Sequence, residues 1–152
     1  MLVLGILGIA LPNLMAPYFD AEFARATAQQ AEAAFYEAIE RADLDAMMAV
    51  WAEDEEIICV HPGGPRLAGY VAVRESWRKI FAGGANLRFT LTSQIHSQGM
   101  LLAVHSLHEN ITILGDQRKP PPVMVTNVYI RGPLGWRMLV HHASPGPAVS
   151  DA

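Results

Sequence analysis

The chain has 152 residues, a formal net charge of −4, 51% hydrophobic residues and 17% charged residues. This suffices for one domain with a buried core and excludes a disordered chain, whose low hydrophobicity could not offset the entropy of folding. Acids and bases are interspersed, with no basic stripe to neutralise phosphates, so nucleic acid is not an expected partner; Arg74, Arg78 and Lys79 read as a short solvated helix face.

Residues 1–19 are uncharged. Their apolar stretch of about a dozen residues is shorter than the roughly twenty that span a bilayer, so no stable membrane insertion is expected. They lack a basic n-region, and Met15-Ala16-Pro17 is a poor cleavage site. The reading is a disordered tail or a start-site artefact, with an export segment as the alternative. From Asp20, residues Phe23, Ala26, Gln30, Ala31, Ala34, Phe35, Ala38, Ile39 and Ala42 recur at helical steps, with Glu22, Arg25, Gln29, Glu32 and Glu40 on the other side. This predicts an amphipathic helix of about twenty residues. Asp43 then caps a short helix with the stripe Leu44, Met47, Met48 and Trp51. An acidic turn follows at Glu53 to Glu56, and Glu56 to Val60 reads as a strand.

The segment His61 to Gly69 is rich in Pro and Gly and is predicted to be a loop. Val73, Trp77, Ile80 and Phe81 mark one face of a third helix, stopped by Gly83-Gly84. Leu87 to His96 alternates as a strand, with Leu87, Phe89, Leu91 and Ile95 on one side and Arg88, Thr90, Thr92, Gln94 and His96 on the other. Met100 to Leu114 is one long strand or a bulged pair, Gly115 to Pro120 a turn, and Val123 to Arg131 a strand. Gly132 to Gly135 is a hairpin loop, and Trp136 to Ala143 the last strand. The expected organisation is a single domain over 20–145 and a frayed tail over 146–152. Helix, helix, strand, helix and four antiparallel strands define an α+β class with helices on one face of a sheet.

Cys59 is the single cysteine, so no intramolecular disulfide exists, and its apolar run makes it a buried, inert thiol suited to a reducing, cytoplasmic setting. His61 is the leading catalytic candidate: it follows a strand beside a Gly-rich loop, and an imidazole exchanges protons near neutrality. Its alternative role is to fix the turn. Asn127 stands mid-strand where an apolar residue would be expected, and its amide could donate to a developing oxyanion; Tyr129 shares its face. In the last strand Trp136, Met138, Val140 and His142 share one face and Arg137, Leu139 and His141 the other, making His142 the expected pocket histidine. His105 and Glu109 share a face opposite His108, but no HxH or HExxH spacing occurs, and no metal is expected. Gly63-Gly64 fits no phosphate loop, and no GxSxG elbow is present. Trp51, Trp77 and Phe35 are core positions that could also line a pocket for a small apolar molecule.

Three segments carry a resemblance: ADLDAMMAVWAEDEEIICVHPGG, LAGYVAVRESWRKIF and GWRMLVHHASP. Together they resemble the SnoaL-like branch of the nuclear transport factor 2-like superfamily, over roughly Glu22 to Pro145. The resemblance implies a cone-shaped curved antiparallel sheet wrapped around a long N-terminal helix, with two further helices. Members include steroid isomerases, polyketide cyclases, dehydratases, epoxide hydrolases and proteins without catalysis, so fold alone implies no reaction. Ketosteroid isomerases carry an Asp-Pro pair after the first strand, matched here by His61-Pro62. Their helix Tyr is matched by Phe35, with Tyr36 one step round, and their protonated Asp by Asn127. The implied activity is lyase, isomerase or hydrolase chemistry by general acid–base catalysis without a cofactor. The alternative is a hydrophobic-ligand-binding or dimerisation domain. A homodimer through the sheet face bearing Val128, Ile130 and Leu139 is expected with either.

Overall fold

The computed structural model describes residues 26–53 and 56–147; the tail expected over 1–19 lies outside them. Helix α1 spans Ala28–Arg41, and its start is a capping box in which Thr27 and Gln30 bond each other's backbone N–H, both at 3.1 Å. The i, i+3, i+4 stripe Ala28, Ala31, Glu32, Phe35, Tyr36, Ala38 and Ile39 is buried. Two corrections to the sequence pattern follow. Gln30 is exposed because it serves the cap, and Glu32 lies inside the apolar stripe, only 4% exposed. The helix ends on Ala42 in the left-handed region, φ 49°. Asp43 then caps α2 (Leu44–Val50), accepting from the Ala46 N–H at 3.0 Å.

Strand β1 is Ile58–Val60. The segment predicted to be all loop contains a strand, β2 (Arg66–Ala68), antiparallel to β1; three residues between Pro65 and Gly69 carry too little pattern to announce a strand. Helix α3 (Tyr70–Ala82) buries Val73 and Trp77 and ends at Gly83, as the sequence indicates, although Ile80 is 37% exposed. Then come β3 (Leu87–Gln98), β4 (Leu102–Ile113), β5 (Val123–Gly132) and β6 (Gly135–Pro145). The six strands form one sheet in the order β2-β1-β6-β5-β4-β3. Only the β1–β6 pairing within it is parallel. The architecture is α+β, the curved sheet closing on α1 as a cone. Among the described residues no helix is long and apolar enough to cross a membrane.

Two irregularities decide which side chains enter the cone. In β3 the register against β4 shifts between Thr92 and Ile95, with Ser93 at φ 50°. In β6 the register against β5 skips Leu139: Tyr129 pairs Met138 and Val128 pairs Val140. A bulge inserts an extra residue into one strand and exchanges the faces of everything beyond it. Beyond the first bulge Ile95 is 69% exposed and His96 opposes His105. Beyond the second, His141 is buried and His142 exposed. Simple alternation therefore fails at both histidines.

The core fills the space between the helices and the inner sheet face. Phe35, Met47, Trp51, Ile57, Leu107, Tyr129 and Met138 are at most 1% exposed, and full burial of such a side chain stabilises by roughly 1.5–3 kcal/mol. The Phe35 ring is central, with centroids 4.8 Å from His141, 5.0 Å from Tyr36, 5.5 Å from Trp77 and 6.4 Å from Trp51.

Candidate functional site

Burying Glu32 and Tyr36 brings two polar groups, one helical turn apart, against the inner face of the sheet. Period-two alternation brings up His105 and Glu109 from β4 and Asn127 and Tyr129 from β5, and the bulge at Leu139 adds His141 from β6. Tyr36 donates to Glu109 Oε1 at 2.7 Å. Glu32 Oε2 accepts from Tyr129 Oη at 2.9 Å and Asn127 Nδ2 at 3.3 Å, with His105 Nδ1 at 2.9 Å. Asn127 Nδ2 also reaches Tyr36 Oη at 3.3 Å, and its Oδ1 lies 2.7 Å from His141 Nδ1. Because that oxygen can only accept, His141 carries its proton on Nδ1 and its lone pair on Nε2. Asn127 joins the Glu32 half of this network to the Tyr36–Glu109 half.

Burial raises the Glu109 carboxyl to about 7; the bond from Tyr36 opposes this and the charge of Glu32 adds to it. Glu109 therefore exchanges a proton at neutral pH. Burial, then the neighbouring Glu109, holds the Tyr36 phenol far above its ordinary range, and burial followed by Glu32 does the same for Tyr129. His141 is pushed down to about 3, mainly by burial and then by the nearby His61 and His142, and so is neutral.

His61 stands beyond β1, half-buried, its ring edge-on to Trp77 at 4.8 Å. Its Nε2 is 3.0 Å from Ser76 Oγ, which itself donates to the Val73 carbonyl at 2.8 Å. Ser76 has one proton and has given it away, so it accepts from His61 Nε2–H, and the His61 lone pair sits on Nδ1. Burial lowers the His61 pKa, favouring the neutral base. Cys59 Sγ lies 3.6 Å from His61 Nε2, and burial pushes this thiol up to about 12, which keeps it protonated and inert.

The structure separates the candidates chosen from sequence. Asn127 and Tyr129 are on the inner face, whereas Trp77 stands between His61 and His141, which bonds Asn127. Asn127 directs its donors to Glu32 and Tyr36, so it organises the network. Phe35 is a packing centre, and the phenol entering the cone from α1 belongs to Tyr36. Trp51 donates its indole N–H to Met47 Sδ at 3.4 Å and pairs with Met138, a core role. Trp77 Nε1 is buried without a hydrogen-bond partner. His142 is corrected: the bulge at Leu139 turns it out of the cone and His141 in. Sequence reasoning assigned no site role to Glu32, Tyr36, Glu109 or His141; the available signal was the pair His105 and Glu109, in phase with Ala103 and Leu107 on β4.

Comparison with known proteins matches the SnoaL-like domain family over residues 28–148. The chain belongs to the SnoaL-like family. Among solved structures it is similar to a protein of Thiobacillus denitrificans provisionally named a calcium/calmodulin-dependent protein kinase type II association domain. The two share 38% identity with a TM-score of 0.73, over 81% of this chain and 98% of that one. A Streptomyces avermitilis protein of the nuclear transport factor 2-like family, provisionally named a dehydratase, shares 34% identity and a TM-score of 0.73, over 87% and 99% of the two chains. A Parabacteroides distasonis protein provisionally named a ketosteroid isomerase shares the fold at 18% identity and a TM-score of 0.64, over 80% of this chain and 89% of that one. No curated protein matches.

Proposed function

We propose that this SnoaL-like domain binds a small, largely apolar molecule carrying an oxygen function and transforms it by general acid–base chemistry of the lyase, isomerase or hydrolase kind. The observation that carries the reading is Glu109, a buried carboxyl held by Tyr36 at 2.7 Å and raised to about 7. Such a group takes or returns a proton with little driving-force penalty at neutral pH. Tyr36 is the donor that steadies it. Asn127 is a positioning residue acting through Tyr36 and Glu32, and His61 is a second base nearer solvent. The unpartnered indole N–H of Trp77, whose ring packs against His61, is suited to meet the ligand's oxygen. The dehydratase name borne by the Streptomyces avermitilis relative supports elimination chemistry as the first reaction to try.

The test begins with native mass spectrometry of purified protein and a thermal-shift screen of small carbonyl and hydroxy compounds. A hit is then followed for turnover in the parent, Glu109→Gln and His61→Ala. Loss of turnover by about a hundredfold or more in Glu109→Gln, with binding retained, supports the assignment. Undiminished turnover in Glu109→Gln removes it, and if His61→Ala alone is inactive the base is His61.

A second reading concerns assembly. The outer sheet face exposes Leu102, Val104, Met124 and Ile130, and one relative is named an association domain. Both support a homodimer formed through this face, compatible with either a catalytic or a binding role. Light scattering that returns a monomer at micromolar concentration rules this out. A cytoplasmic setting belongs to the same proposal, supported by the unpaired, buried thiol of Cys59.

A further inference from the structure

Glu32, His96 and His105 are remote in sequence and come together from α1, β3 and β4. The bulge in β3 is the reason: it turns His96 to the inner side, where its ring stacks on His105 with centroids 3.8 Å apart. One ligand atom from each of the three residues lies within 4.8 Å of the other two. Tyr129 and Asn127 donate to Glu32 Oε2, which clamps the carboxylate and leaves Oε1 facing His96 Nε2 across 3.9 Å. His105 is fully buried, and its Nδ1, 2.9 Å from Glu32 Oε2, is the nitrogen turned toward the carboxylate. An ion bound between them takes the place of the shared proton, with Nδ1 as the imidazole ligand of His105.

We propose that Glu32, His96 and His105 form a binding site for a divalent first-row transition cation, with two imidazoles and one carboxylate as its protein ligands. Mixed nitrogen and oxygen donors suit zinc, iron, cobalt or nickel, whereas magnesium and calcium favour oxygen alone. Such ions sit about 2.0–2.2 Å from their ligand atoms, so the three groups must draw in slightly. His96 can do this: its side chain is 30% exposed and lies beyond the bulge. Tyr129 and Asn127 become the outer partners that hold a ligating carboxylate in place. His108 and His142 project from the other side of the sheet and take no part. Glu109 is not a ligand, although Asn127 links it through Tyr36 to the Glu32 side of the network.

The experiment uses the full chain, stripped with chelator. Zinc is titrated in by calorimetry, and cobalt by its visible absorption. The expected result is one ion per chain, a cobalt spectrum of nitrogen and oxygen ligation, and zinc affinity about tenfold or more lower in His96→Gln. Glu109→Gln should bind zinc as the parent does, which separates failure of this site from failure of the acid–base proposal. Imidazole nitrogen resonances of the parent give a second readout that needs no variant: zinc should move those of His96 and His105 among the six histidines. Equal zinc affinity in parent and His96→Gln, absence of one-to-one binding, or shifts confined to other histidines overturns the proposal.

Discussion

His141 donates from Nδ1 to Oδ1 of Asn127 at 2.7 Å, a bond that exists because Leu139 is left out of the β6 ladder. Without that extra residue His141 would share the outward face of Arg137. His141→Ala should therefore cost about 2–3 kcal/mol, through an unpaired Asn127 oxygen and a cavity beside Phe35. His142→Ala should stay within about 0.5 kcal/mol of the parent, as surface changes do. Urea unfolding of both variants checks this, and similar midpoints for the two would contradict the placement of the bulge.

Glu32 has three donors on one oxygen. Glu32→Ala strands His105 and Tyr129, takes one of two acceptors from Asn127, and should destabilise by about 3 kcal/mol or more. Glu32→Gln keeps an acceptor and should cost clearly less. If Glu32→Ala unfolds at the parent's urea midpoint, the network carries no stability.

Glu109 should leave a signature in the pH dependence of stability. Its folded value is about 7 against 4.5 for the unperturbed group. Between these values the folded chain holds a proton that the unfolded chain has released, so stability is greatest below about 4.5 and falls as pH rises to about 7. The span is about 3 kcal/mol. His141 acts in the opposite sense. Its folded value of about 3 lies below the unperturbed 6.5, so it contributes stability above 6.5 that is lost as pH falls toward 3. Glu109→Gln should abolish the decline on the neutral side and melt higher than the parent at pH 8. Parallel melting curves for the two proteins across pH 5 to 8 would show that Glu109 does not titrate there.

Ala42 closes α1 at φ 49°, and its N–H bonds the carbonyls of Ala38 and Ile39. A side chain in this conformation is strained by roughly 1–2 kcal/mol, which glycine avoids at some cost in chain entropy. Ala42→Gly should gain about 0.5–1 kcal/mol, read as a higher melting temperature with activity and oligomeric state unchanged. A lower melting temperature would refute it.

The sequence was readable wherever one regular period ran unbroken. The stripe through Phe35 and Ile39, the cap at Asp43, the Val73–Trp77 face and the inward pair Asn127 and Tyr129 all follow from spacing and are found in the fold. Glu32 was not readable, because a carboxylate beside alanines is ordinarily assigned to solvent; only the distant donors on β4 and β5 make its burial tolerable. His96 and His141 escaped for a different reason. Their faces are set by bulges, and hydropathy does not encode a skipped residue. Much of the candidate site thus depends on partners far along the chain, beyond the reach of local pattern.

Strand β3 is one margin of the sheet and runs for twelve residues. A flat margin of that length offers a row of unpaired amides and carbonyls on which another chain could template. The kink at Ser93 breaks the row into two short segments twisted out of line. The same extra residue that admits a histidine to the interior thus also guards the molecule against edge-to-edge aggregation.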